Sequence, residues 1–143
     1  MVGVAGTGAQ NRYGDIVLAD GTVLPHGRYP WIASRLAQAG IASLFWDKRG
    51  VGQSSGGDRQ PGDGPGERDS YTSVMTDVQD AESALHFLSE QPEINSQRIA
   101  VMGRSAGVYF TCLLATRTDL PAAYILTGGL YMGIDAFMEL IYE

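Results

Sequence analysis

The chain has 143 residues, a formal net charge of −6 and a pI near 4.8. That length suits one domain with a buried core, and the acidic balance excludes a nucleic-acid or anionic-membrane partner, since both need a basic face. No apolar run reaches the roughly 18 residues of a membrane span and no signal peptide opens the chain, so the expected compartment is the cytoplasm.

In chain order, residues 1–5 read as a short buried strand, followed by a polar, glycine-marked loop over 6–12. Residues 16–18 and 22–24 flank Ala19-Asp20-Gly21 and suit a small hairpin, which Pro25-His26-Gly27 ends. A helix is predicted over 29–39, with Pro30 in its first turn and Gly40 ending it. Residues 41–46 form the next predicted strand, and Asp47-Lys48-Arg49-Gly50-Val51-Gly52-Gln53-Ser54 leaves it as a tight charged loop. Residues 52–70, rich in Gly, Pro, Asp and Arg, cannot bury enough apolar surface to order themselves and read as a mobile surface loop. A helix over 72–90 carries Val74, Val78, Ala81, Leu85 and Leu88 as one apolar stripe, so one face packs on a sheet. After a turn at 92–97 come a strand at 99–102, a helix over 106–117, a strand at 122–126 and a last helix from about residue 133. Cys112, the single cysteine, sits in an apolar helix and reads as a buried thiol. Strand–helix alternation of this kind calls for a mostly parallel sheet flanked by helices on both faces, with right-handed crossovers.

The chemistry concentrates in Gly103-Arg104-Ser105-Ala106-Gly107, where the strand at 99–102 turns sharply into a helix. Gly-x-Ser-x-Gly alone arises by chance in roughly one chain in twenty of this length. The strand before it and the helix after it give the motif its meaning. Such a turn lifts the serine hydroxyl above the sheet and aims a helix N-terminus at it. Gly103 and Gly107 fit because a side chain at either place would strike the neighbouring strand or helix.

Three segments, in order and spacing, resemble the α/β-hydrolases. The loop over 6–12 is similar to the glycine-rich loop after that fold's third strand. Asp47-Lys48-Arg49-Gly50-Val51-Gly52-Gln53-Ser54 resembles the Asp-x-Arg-Gly-x-Gly-x-Ser segment after its fourth, and Gly103–Gly107 the nucleophile elbow after its fifth. The nearest subgroup is that of bacterial peptidase- and esterase-like hydrolases. The resemblance implies an incomplete α/β-hydrolase fold over residues 1–143, with Ser105 as nucleophile. It further implies backbone N–H groups of Ala106 and Thr7 as the oxyanion hole, although Ala5-Gly6 stands where the family often has His-Gly. The substrate class it implies is a small acyl compound, an ester, thioester or amide, with no cofactor and no metal. Asp47 and Arg49 read as braces of their loop rather than as reacting groups.

The family's triad order is Ser, acid, His, and no histidine follows Ser105. His86 lies toward the polar side of its helix and His26 in a loop break, and Asp119 and Asp135 cannot complete a triad without the base. The family's first two antiparallel strands are also missing. The expectation is therefore a hydrolase truncated at both ends, inactive as this chain alone, with homo-oligomers compatible because sheet edges are left open. A non-catalytic binding module on the same scaffold is the alternative. A phosphate cradle at the helix N-terminus is a third, disfavoured because neither a Walker motif nor G-x-G-x-x-G is present. Tyr131, Met132, Phe137 and Met138 could line a pocket or simply pack.

Overall fold

Val2 and Val4 are strong β-formers, and Gly3 between them leaves room for the Phe45 ring, so the three residues make three rungs of a ladder. In the computed structural model, which describes residues 1–18, 20–54 and 70–129 (backbone only for 70–73), they are strand β1 (Val2–Val4). β1 lies parallel to β4 (Ala100–Arg104), with Val2 opposite Val101 and Val4 opposite Gly103. β4 lies parallel in turn to β5 (Ala123–Thr127), giving the order β1-β4-β5. The hairpin forms separately as β2 (Ile16–Val17) and β3 (Val23–Leu24), antiparallel.

The strand predicted at 41–46 is reduced to one parallel bridge, Val2 to Leu44. The Gly3 N–H donates to the Leu44 carbonyl at 3.0 Å and the Leu44 N–H to that of Met1 at 2.9 Å. Its bonding side meets the start of β1, where the Met1 ammonium also donates to the Ala42 carbonyl.

The helices are α1 (Arg28–Gln38), α2 (Ser70–Ser89) and α3 (Gly107–Ala115). Strand residues alternate between faces, and this sorts the layers. Val2, Val4, Ile99 and Val101 share one core with Val74, Val78, Ala81, Leu85 and Leu88 of α2 and Phe110 and Leu114 of α3. Leu44 and Trp46 pack on that same core, whereas Phe45 between them faces the other way and stacks on Tyr29 of α1 at 4.6 Å. Helices thus cover both faces. The whole predicted stripe of α2 is buried.

Cys112 corrects its expectation: it is exposed. It shares a face of α3 with the exposed Ala115 and Thr116, at i, i+3 and i+4, turned away from β4 and α2. β5 also leaves Tyr124, Ile125 and Leu126 more than a third exposed. No helix among the described residues is long and apolar enough to cross a membrane. The predicted last helix, residues 131, 132, 137 and 138, Asp135 and most of the expected loop at 52–70 lie outside the described residues.

Candidate functional site

β4 delivers Ser105 to the carboxyl end of the sheet and α3 leaves from two residues later. Between them Ser105 adopts φ 55°, the one non-glycine residue with positive φ among those described. For a residue with a Cβ this conformation costs roughly 1–3 kcal/mol and persists only where surroundings impose it. Here they do. The Ser105 N–H donates to the Thr127 carbonyl at 3.0 Å, and the Ser105 carbonyl accepts the Val108 N–H at 3.0 Å.

Backbone meets backbone on both sides of the turn. A Cβ on Gly107 would run into the Val4 carbonyl oxygen and stand 2.8 Å from that of Ala5. One on Gly103 would lie 2.5 Å from both the Gly107 carbonyl oxygen and Thr111 Oγ1. Thr111 is fully buried, and its hydroxyl has no hydrogen-bond partner among the described residues. It occupies the room that a side chain at 103 would need.

The loop after β1 closes on the serine. A Cβ at Gly6 would stand 2.9 Å from Ser105 Cβ and 3.3 Å from its Oγ, so glycine there lets the loop touch the turn. Thr7 follows, exposed. The N–H groups of Thr7 and Ala106 have no acceptor among the described residues. That of Ala106 belongs to the set a helix start cannot satisfy internally.

Two buried side chains that the sequence reading did not single out hold this loop. Lys48 Nζ donates to the Gly6 carbonyl at 2.6 Å and to Asp77 Oδ2 of α2 at 3.3 Å, and lies 5.5 Å from the centre of the Phe110 ring. Gln10 Nε2 donates to the Thr7 carbonyl at 2.7 Å, while Gln10 Oε1 accepts the Tyr29 hydroxyl at 3.4 Å. Nothing in the pattern Asp47-Lys48-Arg49, which leaves no strand or helix period to read, marks Lys48 as buried.

Asp47 and Arg49 brace the loop as expected, but not with each other. Asp47 accepts the Arg12 N–H at 2.6 Å, Arg12 Nη2 at 2.6 Å and the Gln53 N–H at 2.9 Å. Burial opposes its ionisation, yet the Arg12 guanidinium and the two N–H groups overcome this and hold the carboxyl at about 2. Arg49 grips Asp80 of α2 through Nε at 2.9 Å and Nη2 at 2.6 Å.

Neither histidine joins Ser105. His26 is exposed, and its N–H donates to Asp15 Oδ1 at 2.7 Å beside the start of α1. Two such N–H bonds, from Gly27 first and then His26, pull the Asp15 carboxyl below its ordinary range. His86 is exposed near the end of α2, where the chain turns to enter β4. Ser105 follows the far end of that strand, whose five residues span about 16 Å at the usual rise per residue. No group of three or more His, Cys, Asp or Glu side chains that could hold a metal ion occurs among the described residues.

A family model described as serine aminopeptidase, S33, matches residues 10–141, taking in the charged loop and the Ser105 turn but beginning after Thr7. No curated protein matches the chain. With a parallel sheet flanked by helices, and a match over most of its length, the chain belongs to the serine aminopeptidase S33 family of the α/β-hydrolase superfamily.

Proposed function

We propose that this hydrolase-family chain carries the nucleophile and oxyanion donors of a serine hydrolase that cleaves a carboxylic ester, thioester or amide. The observation that supports this best is the imposed left-handed conformation of Ser105 between β4 and α3, with Gly6 against its side chain. Strain that the surroundings impose on one polar residue is a mark of a working group.

In this reading Ser105 Oγ attacks the substrate carbonyl carbon while its proton passes to a base. The carbonyl oxygen gains the negative charge, and the N–H groups of Ala106 and Thr7 receive it. Collapse expels the alcohol, thiol or amine and leaves an acyl-enzyme that water then hydrolyses. The base is the part these residues do not supply: no histidine follows Ser105, and His26 and His86 are exposed away from it. The acyl-transfer reading therefore requires a base that Ser105 does not find among the described residues. That same observation favours the second reading, a binding module on this scaffold that performs no acyl transfer.

A fluorophosphonate probe separates the two. The native gene product should gain one probe mass, and its Ser105→Ala variant none. Equal labelling of both, or of neither, would remove Ser105 from the role of nucleophile.

A further inference from the structure

Lys48 and Gln10 would touch no substrate, yet both are buried, at 4% and 8% exposure. Burying an ammonium group is expensive unless it is paired and hydrogen-bonded, so what Lys48 holds is informative. It holds the Gly6 carbonyl, at 2.6 Å. In a trans peptide the carbonyl oxygen and the N–H of the next residue point in opposite directions. Lys48 Nζ lies on the inner side, between Asp77 of α2 and the Phe110 ring of α3. With the Gly6 oxygen drawn inward, the Thr7 N–H is turned outward, on the side where Thr7 is exposed and Gly6 meets Ser105. Gln10 fixes the next peptide in the same manner through the Thr7 carbonyl, at 2.7 Å. Both peptide planes beside the Thr7 Cα are therefore set by buried side chains.

The geometry points to Lys48, assisted by Gln10, as a positioning residue that aims and polarises the Thr7 N–H of the oxyanion site. This rests on the acyl-transfer reading above. A neutral donor could tie down the loop, but a cation adds something further. A charge-assisted bond to a carbonyl draws electron density from the far N–H of the same peptide and makes it a stronger donor.

The test reads the peptide directly and then the chemistry. In isotopically labelled protein, Lys48→Met should move the Gly6 carbonyl ¹³C and Thr7 ¹⁵N resonances upfield together, because the carbonyl loses its cation. Arg49→Gln, which releases the same loop from α2 without touching Gly6, should leave both in place. Resonances unmoved by Lys48→Met, or moved equally by Arg49→Gln, would overturn the proposal. If Lys48→Met does not fold, Lys48→Gln, which removes the charge but keeps a polar side chain, takes its place, read at the same two resonances with the same two outcomes. On an acyl substrate, loss of the aim should lower kcat roughly ten- to hundredfold with KM little changed. It should also shrink the enzyme's preference for a carbonyl over a thiocarbonyl substrate, which a merely structural defect would not do. Moved resonances with an unchanged kcat and an unchanged preference would overturn the catalytic half. A wild-type protein that fails to label at Ser105 would instead remove the acyl-transfer reading, leaving the resonances alone to decide whether Lys48 holds the Gly6 peptide.

Discussion

The Ser105 turn and the charged loop over 47–54 lie against the same stretch of chain and are fixed by opposite means. The turn is shaped by what is missing: Gly6, Gly103 and Gly107 let backbone approach backbone where no side chain fits. The charged loop is shaped by what is present, since Asp47, Lys48 and Arg49 each reach a partner 29 to 42 residues away. Steric exclusion survives any change of pH or salt. Ionic bracing is written across the chain and responds to both.

That contrast sets the expected effects. The largest belongs to the turn. Gly107→Val should cost about 3 kcal/mol or prevent folding, since its side chain would meet the Val4 and Ala5 carbonyls and neither can move without β1. Chemical denaturation measures this, and a loss below about 1 kcal/mol would mean that α3 does not press on β1 as described.

Next comes Asp47. Its carboxyl sits at about 2 in the folded protein against an ordinary 3.8, so its ionised form stabilises the fold above about pH 4. That contribution, about 2 kcal/mol, is lost as the pH falls through about 2. Asp47→Asn should show a deficit of this order at neutral pH that narrows on acidification. A gap that stays constant from pH 7 to pH 2 would sever the brace from its charge. The smallest effect is that of Arg49→Gln, whose pair with Asp80 is nearly half-exposed on the arginine side; no more than about 0.5 kcal/mol should be lost. A larger loss would make the exposed brace more than a surface ion pair.

The same contrast explains what could be read in advance. The alternation of strands and helices, the buried stripe of α2 and the turn at Ser105 all follow from short-range patterns: apolar runs, 3.6-residue periodicity, and glycines two residues either side of a serine. The strand at 41–46 misled because an apolar run does not show how many rungs a segment shares with its partner, and here it shares one bridge with β1. Cys112 misled because α3 is apolar on nearly every side, so periodicity does not show which side faces water. Lys48 and Gln10 were passed over for a different reason. Their significance lies in carbonyls at Gly6 and Thr7, and a backbone oxygen leaves no trace in the identity of its residue.

The misjudged cysteine has a practical use. Because Cys112 is the single thiol of the chain and lies open on α3, a maleimide dye would attach at one known place, seven residues beyond Ser105. Its emission would follow the helix that begins at the Ser105 turn, without any engineered substitution.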